Sequence, residues 1–315
     1  MSLRVTRAGL QTTIQAEPRI GMRHLGVPTS GPADPLSMAL ANHLVGNPVM
    51  CPALETTLTG IDLKFESEGV FAISGAPSKC TLDGSPVEIH RSYRANAGDE
   101  LHLGAALTGA RAYIAFAGGL VADEMLASRS TYLPAEFGGF KGRALGQGDC
   151  LQLKLPGDAT SSRTTPDEFR PPITGTWAVR ACDGVETGLL DEPARDALFD
   201  TNFTVGNRAD RMGLQLQGRA LGIQSEGRLP SAPVFPGCVQ CPEDGTPYLL
   251  SVDAQTTGGY PRIAQIARVD RHMLGQFRPG DHVRLLRRTP EQAAKELHEK
   301  LNYWRAWLLD IESVI

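Results

Sequence analysis

The sequence lacks several features by which common classes of protein are first identified. No apolar run approaches the roughly 20 residues of a membrane-spanning helix. Residues 1–5 show neither the charged start nor the apolar core of a secretory signal. The 315 residues carry a formal net charge of −4, with a pI of about 6.0. This charge argues against binding to nucleic acid or a membrane surface. We therefore expect a cytoplasmic protein.

Motifs for nucleotides and metals are absent as well. There is no Gly-x-x-x-x-Gly-Lys-Ser/Thr phosphate loop, and the glycine pairs at 118–119 and 138–139 complete no dinucleotide fingerprint. No Gly-x-Ser-x-Gly nucleophile elbow occurs, and none of the seven histidines pairs with another at metal-binding helical spacing. Cys238 and Cys241 have the spacing of half a zinc site or of a redox motif, without a second ligand pair. We expect six free thiols, no metal and no cofactor bound by a recognisable motif.

Aromatic residues are scarce at 6%, whereas glycine (34) and proline (22) are plentiful. Three Gly-Asp turns, at 98–99, 148–149 and 280–281, each precede a segment of alternating apolar and polar residues. Such alternation is typical of half-buried strands. Many short strands separated by turns predict a mainly β protein built from barrels or sandwiches.

The length of the chain favours two domains. Residues 156–166 are polar, bounded by proline and without periodicity, and are interpreted as a linker or long loop. The predicted domains are an N-terminal β-barrel at 1–165 and a C-terminal β-barrel with a terminal helix at 166–315. Because the Gly-Asp turns occur on both sides of this boundary, the two barrels could be related.

Two helices stand out. Asp34 and Pro35 fit an N-cap and a first helical residue, which predicts a helix over 36–45 that ends at Gly46. Residues 289–292 form a capping box for a C-terminal helix. Apolar residues then follow at helical spacing: Leu297, Leu301, Trp304, Leu308 and Ile311. This stripe is either packing surface within the protein or a contact with another chain.

The most informative stretch is residues 253–261, which an apolar segment at 247–253 leads into. It joins polar side chains to a glycine pair and an aromatic residue: Gln255, Thr256, Thr257, Gly258, Gly259 and Tyr260. Glycine lets the backbone approach another group closely, and amide and hydroxyl groups both donate and accept hydrogen bonds. Such an edge suits a small ligand with a planar N–C=O group. The alternative is a polar strand end with a glycine bulge.

Two further sites are predicted near the first helix. Arg23, Ser30 and Asp34 lie in the segment that enters this helix, where unpaired backbone N–H groups could bind an anion or a carbonyl. Simple helix capping by Asp34 is the alternative. Glu55 lies in an apolar run, either as a buried functional acid or as a structural carboxylate whose hydrogen bonds are satisfied.

A glycine-rich basic cluster is the remaining candidate. It contains Arg129, and then Gly138, Gly139, Lys141 and Arg143 in one short loop. Three cations on flexible glycine hinges could clamp a carboxylate or a phosphate. The alternative is ordinary basicity of a surface loop.

Several motifs follow one another in order between residues 20 and 285. They lie at 26–35, Ala41-Asn42, 46–48, 53–60, 112–119, 138–143, 210–213 (with Arg211) and 253–261. In this set the chain resembles the allophanate hydrolase subunit 2 family, also called the KipA family or the family of 5-oxoprolinase C-type subunits. The resemblance implies cyclophilin-like β-barrel domains and a likeness to the carboxyltransferase region of biotin-dependent urea carboxylase.

The resemblance also implies a function. Stand-alone members act with a separate B-type subunit, and in 5-oxoprolinase also with an A-type subunit, to open the lactam of 5-oxoproline to glutamate with ATP. We therefore expect one component of such an enzyme. One alternative is a biotin-dependent carboxyltransferase related to urea carboxylase, and another is a non-catalytic regulatory protein of the KipA type. A lactam, urea and the ureido group of biotin all present a planar N–C=O edge.

We predict catalytic roles for Arg143, as the cation, and for Gln255, as the neutral group that orients the amide. Substrate-binding roles are predicted for Arg23, Ser30, Asp34, Asn42, Glu55, Arg129, Gly138, Gly139, Lys141, Arg211, Thr256, Thr257, Gly258, Gly259 and Tyr260. We also expect the 255–260 turn and the 138–143 loop to line one cleft.

Some positions depart from the family pattern. Cys238 and Cys241 stand where relatives usually carry aliphatic residues, and Ala127 replaces an expected glycine. The chain has no Met-Lys-Met context for biotinylation. Any biotin is therefore expected to come from another chain. Without a phosphate loop, an ATP site would be either unconventional or supplied by a partner, so ATP or carboxybiotin is expected in the assembled complex.

Overall fold

The computed structural model describes residues 1–155, 162–224 and 229–315. The chain is mainly β, as predicted, and divides into two compact units. The first unit comprises Met1–Arg19, Ser30–Ile173 and Trp304–Val314, and the second comprises Ile20–Thr29, Thr174–Tyr303 and Ile315. The domain limits of 1–165 and 166–315 stay a prediction.

The first unit consists of eleven strands and one α-helix in its described part. In chain order these are β1 (Ser2–Arg7), β2 (Gln11–Gln15), α1 (Pro35–Leu44), β3 (Ala53–Thr57), β4 (Asp62–Phe65), β5 (Gly69–Gly75), β6 (Ser78–Leu82), β7 (Ser85–Val87), β8 (Ser92–Ala95), β9 (Glu100–Ala106), β10 (Arg111–Phe116) and β11 (Cys150–Gln152). They form two antiparallel sheets, with orders β11-β1-β4-β9-β6-β7 and β2-β3-β10-β5-β8.

A single hydrophobic core joins the two sheets. It includes Leu3 and Phe65 from the first sheet and Phe71, Ile114 and Phe116 from the second. The rings of Phe65 and Phe71 lie 5.6 Å apart between centroids. In β1 and β9 of the first sheet, buried residues alternate with more exposed ones, because one face of that sheet contributes to this core. β5 and β10 of the second sheet are buried throughout, because α1 packs on their other face.

The second unit contains a closed barrel. In chain order the elements of this part of the protein are β12 (Thr176–Asp183), α2 (Glu192–Asp200), β13 (Phe203–Ala209), β14 (Gly213–Gln217), β15 (Ala232–Pro233), β16 (Cys238–Gln240), β17 (Tyr248–Leu250), β18 (Thr257–Gly258), β19 (Arg262–Ile266), β20 (His282–Arg287) and α3 (Pro290–Trp304). The barrel order is β12-β19-β16-β17-β14-β13-β20, and β15 and β18 form a separate ribbon. Parallel pairing of β12 with β20 closes the ring, which leaves none of its seven strands as a free edge.

Several local expectations are confirmed. Each of the three Gly-Asp turns leads into a strand, namely β9, β11 and β20. The apolar lead-in to the most informative stretch forms β17, with Leu249 fully buried. Of the predicted linker, residues 156–161 lie outside the described residues. Beyond them, Ser162 and Arg163 exchange main-chain hydrogen bonds with Ser92 of β8.

The first helix forms as the sequence predicts. The Asp34 carboxylate accepts hydrogen bonds from the Ser37 N–H (3.0 Å) and hydroxyl (2.5 Å), and Pro35 begins the helix. Gly46 follows the helix with φ at 76°, a conformation that favours glycine. Because most of α1 is buried against β5 and β10, its sequence is apolar on nearly every side.

The C-terminal helix is shorter than its apolar stripe predicts. The capping box forms between Thr289 and Gln292, but the helix ends at Trp304. Leu308 and Ile311 are buried in turns beyond it, so the interpretation of the stripe as one helix is wrong. The Trp304 ring packs 5.5 Å from Phe169, and tertiary packing of this kind overrides helical spacing. No helix in the described part of the chain has the length and apolarity needed to cross a membrane.

The cap of α1 provides a test of this local structure. We expect Asp34→Ala to lower the free energy of unfolding by about 0.5–2 kcal/mol, because the helix loses its N-cap acceptor. Asp34→Asn should lose less, since its carbonyl oxygen can still accept from Ser37. Urea unfolding followed by circular dichroism measures both, and equal losses in the two variants would contradict the capping role.

Candidate functional site

The second unit contains a cleft of about 690 Å³ among the ends of its barrel strands. Small-molecule sites usually measure about 300–1,000 Å³, so the cleft has a suitable size. One wall is the β13–β14 hairpin, at residues 207–210 and 212–213. The other walls come from β16, β17 and the loops beside them, through Gln240, Tyr248, Gln255 and Tyr260 among others.

A pair of carboxamides lies in this cleft. The Gln255 amide donates to the Gln240 carbonyl oxygen at 3.3 Å, and the Gln240 amide donates to the main-chain oxygen of Tyr260 at 3.2 Å. Both the amide nitrogen and the carbonyl oxygen of the Gln240 side chain are therefore hydrogen-bonded. The Gln255 side chain keeps its carbonyl oxygen and one N–H for a ligand, since no other contact is made to them within the described residues.

Residues 256–259 of the predicted turn lie outside the lining of this cleft. Thr257 and Gly258 form β18 and pair with β15, while the main-chain oxygen of Thr256 accepts from Val234. A Cβ on Gly258 would lie 2.6 Å from the Gln240 amide nitrogen, and one on Gly259 would lie 3.0 Å from the Leu229 oxygen. The glycine pair thus allows the close approach expected of it, but the approach is to protein atoms. Substrate binding by residues 256–259 stays a prediction.

A buried ion pair connects the two sides of the cleft. Arg211 and Asp253 form a two-pronged contact, with Nε–Oδ2 at 2.6 Å and a second nitrogen–oxygen distance of 3.2 Å. Their side chains are only 6% and 3% exposed. The Asp253 N–H also donates to the Arg211 main-chain oxygen at 2.8 Å. The pair therefore fixes the hairpin at 210–213 against the loop that carries Gln255.

Sequence reasoning missed part of this cleft. Arg208, Asn207, Gln240 and Tyr248 line it, and none of them was predicted. Gln240 offered a signal, because it is a polar residue in an apolar strand between Cys238 and Cys241. The spacing of the two thiols, in contrast, is that of half a zinc site or of a redox motif.

Arg23, also in the second unit, is outside this set of lining residues. Its guanidinium donates to the Val234 main-chain oxygen and lies over the Phe235 ring, 4.9 Å from the centroid. Burial lowers the pKa of Arg23 from its ordinary value. A role for this residue in substrate binding stays a prediction.

In the first unit, carboxylates already occupy the start of α1. Glu55 Oε2 accepts from the Ala33 N–H (2.8 Å) and the Tyr113 hydroxyl (2.7 Å), and Arg111 lies 3.5 Å from the other oxygen. Burial, followed by the charge of Glu55, raises the pKa of Tyr113 well above its usual range. These contacts favour the structural alternatives for Asp34 and Glu55, because an added anion would meet negative charge.

Two other predicted residues lie at the two ends of the same helix. Asn42 donates to the main-chain oxygens of Val49 (3.2 Å) and Cys51 (2.8 Å) and accepts from Asn47 (3.0 Å), so its carboxamide secures the turn after α1. Ser30 precedes the helix with φ at 51°, and its buried hydroxyl has no hydrogen-bond partner among the described residues.

The basic cluster is largely paired within the first unit. Arg129 binds Glu17 through two contacts of 2.9 and 3.1 Å, and Arg143 binds Asp149 through two of 2.7 Å. The hydrogen bonds from Arg143 hold the pKa of Asp149 below its ordinary value. Lys141 lies over the Phe140 ring at 5.3 Å. Of the three cations proposed for a clamp, two therefore already hold a carboxylate.

The glycines of this loop lie in tightly packed backbone. Gly138 and Gly139 have φ of 72° and 63°, and a Cβ on Gly139 would lie 1.9 Å from the Thr131 hydroxyl. Gly139 and Asp123 exchange two main-chain hydrogen bonds of 2.8 and 3.0 Å. These hydrogen bonds hold the backbone at Gly139, and the flexible hinges stay a prediction. The proposed cleft shared by the 138–143 loop and the 255–260 turn stays a prediction.

All six cysteines are free thiols, as expected. Cys238 and Cys241 are buried, and burial raises the pKa of each thiol to about 12. Both thiols therefore stay protonated near neutral pH. Within residues 1–155, 162–224 and 229–315, no three histidine, cysteine or acidic side chains gather as a metal site would require.

Comparison with known proteins identifies the family. The carboxyltransferase domain, subdomain A and B, matches residues 25–287. The chain belongs to this family. It is 35% identical to the C-type subunit of 5-oxoprolinase from Escherichia coli (strain K12), over 99% of this chain and 100% of that protein. It is 32% identical to urea amidolyase of Lachancea kluyveri, over 94% of this chain and 17% of that protein.

Solved structures agree with the family assignment. The urea amidolyase of K. lactis superposes with a TM-score of 0.87 at 28% identity, covering 95% of this chain and 20% of that one. The protein TTHA0988 superposes with a TM-score of 0.82 at 32% identity, covering 90% of this chain and 55% of that one. The resemblance inferred from the sequence motifs is confirmed. This chain spans the whole of the E. coli 5-oxoprolinase component, about half of TTHA0988 and a fifth or less of urea amidolyase.

The ion pair that connects the walls of the cleft can be tested. We expect Asp253→Ala to lower the free energy of unfolding by about 3–5 kcal/mol, because it leaves Arg211 buried without its main carboxylate. Asp183→Ala is the control: it breaks an exposed pair with Arg287 and should cost less than about 1 kcal/mol. Chemical unfolding of both variants measures the difference, and similar small losses would show that the buried pair does not fix the cleft.

Proposed function

We propose that this chain is one component of a 5-oxoprolinase-type enzyme, which opens the lactam of 5-oxoproline to glutamate with ATP. The observation that carries the proposal is the match to the E. coli C-type subunit over the full length of both chains. A second C-type subunit, from Haemophilus influenzae, is 33% identical over 90% of this chain and 91% of that protein. This chain therefore matches nearly the whole length of both relatives.

The cleft of the second unit supplies chemistry that suits a lactam. A lactam presents one N–H and one carbonyl oxygen on the same edge, and Gln255 offers an acceptor and a donor in the same plane. The hydrogen bond from Gln255 to Gln240 restricts the rotation of this carboxamide. A group held in place before the substrate arrives can stabilise charge that develops on the carbonyl oxygen.

ATP does not fit the same cleft. Among the described residues that line it, Arg208 is the one cation and is accompanied by Asp210 and Asp244. A triphosphate needs several cations or backbone N–H groups, together with a bound Mg²⁺. We therefore place ATP outside this cleft. The proposed partners are a separate B-type subunit and an A-type subunit, because the relatives are named as one component of a larger enzyme.

A biotin-dependent carboxyltransferase is the second candidate. It is supported by the family itself and by the likeness to urea amidolyase. The ureido group of biotin presents the same N–C=O edge as a lactam, so Gln255 suits either ligand. Carboxyl transfer would need domains beyond those that this chain supplies, since the chain spans only 17% of the L. kluyveri protein.

The partner assignment leads to a direct test. Co-expressed with its cognate B-type subunit, this chain should elute as a stable complex in size-exclusion chromatography. The reason is that the relatives which match this chain over nearly its full length are named as one component of a larger enzyme. Separate elution of the two chains at micromolar concentration would count against the proposal.

The role of Gln255 can be measured in the assembled complex. We expect Gln255→Ala to lower turnover by about 10²–10³-fold, the usual effect of losing one preorganised donor. The matched control is Gln152→Ala on exposed β11, which should retain wild-type turnover. The Cys238→Ala, Cys241→Ala double variant should also remain close to wild type, if the thiols are incidental. Unchanged kinetics in Gln255→Ala would remove this residue from the site.

Arg143 is the proposed cationic group. Because Arg143→Ala also breaks the ion pair with Asp149, its effects on turnover and on stability are measured separately. Arg143→Ala should reduce turnover strongly if the guanidinium reaches the substrate. Because its side chain is 45% exposed, the loss of the Asp149 pair should cost only about 1 kcal/mol or less in stability. Wild-type turnover in this variant would show that Arg143 serves only its ion pair with Asp149 and has no catalytic role.

A further inference from the structure

We infer that Arg208 selects ligands that carry a carboxylate as well as an amide, so that the cleft recognises a carboxylated lactam over a neutral one. This rests on the proposed function and names the class of substrate that the second unit takes. Three observations support it: the conformation of the strand that carries Arg208, the contacts of the nearby charges, and the position of Gln255 in the same cleft.

A β-bulge presents Arg208. Val205 pairs with Leu216, but the next pairing joins Ala209 to Leu214, so residues 206–208 face a single residue of β14. In a regular strand, neighbouring side chains point to opposite faces. A bulge changes this, and here the consecutive residues 207–210 all line the cleft.

Gly206 makes the bulge compatible with its neighbours. A Cβ at this position would lie 3.0 Å from the side-chain oxygen of Gln215 and 3.0 Å from the side-chain nitrogen of Gln217. Glycine therefore lets β13 approach β14 closely just before the strand diverges. The result is an arginine held at a strand end rather than on a long loop.

The guanidinium of Arg208 is available to a ligand. It makes no hydrogen bond or ion pair with any residue in the described part of the chain. Two carboxylates share the cleft, but both are turned toward backbone N–H groups. Asp210 accepts from residues 212 (2.7 Å) and 213 (3.1 Å), and Asp244 accepts from residue 246 (2.9 Å).

These charges restrict the ligand further. A guanidinium presents a rigid fork of donors that matches one carboxylate through two hydrogen bonds. The two aspartates would repel a ligand with several negative charges. The cleft thus favours a monocarboxylate, with its amide edge at Gln255. 5-Oxoproline carries one lactam and one carboxylate, whereas urea carries neither a ring nor a charge.

The test is a binding measurement on the purified full chain. 5-Oxoproline and the neutral lactam pyrrolidinone, which has the same ring without the carboxylate, are titrated by calorimetry or ligand-observed NMR. A hydrogen-bonded charge pair predicts about 10–100-fold tighter binding of 5-oxoproline. Arg208→Gln should remove this preference and leave pyrrolidinone binding unchanged, and Arg208→Lys should keep part of it.

Arg219→Gln is the matched control. Arg219 is exposed, lies outside the lining of the cleft and has no ion pair among the described residues, so the variant makes the same change in net charge. It should behave as wild type. Equal affinity of the wild-type chain for both lactams, binding of neither, or a preference retained in Arg208→Gln would overturn the inference.

Kinetics of the assembled complex separate this inference from the proposed function. If the complex hydrolyses 5-oxoproline but Arg208→Gln leaves KM unchanged, the inference is wrong and the proposed function stands. If the complex does not hydrolyse 5-oxoproline, the proposed function is wrong. Loss of carboxylate selectivity in Arg208→Gln would then still support the inference.

Discussion

The candidate site depends on the buried contact between Arg211 and Asp253. Neither the hairpin at 210–213 nor the loop around Gln255 is a regular element, and each reaches the cleft from a different part of the barrel. The two-pronged ion pair, with an added main-chain hydrogen bond, fixes one against the other. Removing one partner of such a buried pair is strongly destabilising, because it leaves the other charge buried and uncompensated. The pair therefore holds the segment that follows Arg208 against the loop that carries Gln255.

The closed barrel provides the frame for that contact. Parallel pairing of β12 with β20 completes the ring, and the strand ends converge on the cleft from β13, β14, β16 and β17. We propose that the cleft combines two kinds of recognition: a carboxamide edge, which suits lactams and ureido groups alike, and an arginine that has no partner in the described chain. In this proposal the first would be shared by both kinds of relative, and the second would distinguish a carboxylated substrate.

The sequence predicted features whose causes are local. The cap at Asp34, the stop at Gly46, the strands after Gly-Asp turns and the capping box at Thr289 depend on residues within one or two turns of the chain. It also predicted that Gln255 and Tyr260 belong to a binding edge, and both line the cleft. Features with distant causes were not predictable. α3 ends at Trp304, whose ring packs on the distant Phe169, and Arg143 pairs with Asp149 only once the loop has folded. Arg208 gave no signal, because a bulge is a mismatch between two strands and only their pairing reveals it.

We propose that this chain completes an enzyme that converts 5-oxoproline to glutamate. The most direct measurement is reconstitution from separately purified components, with ATP-dependent formation of glutamate as the readout. We expect the full set of components to produce glutamate and the omission of this chain to abolish glutamate formation. Full activity without this chain, or carboxylation of urea in place of lactam opening, would contradict the proposed function.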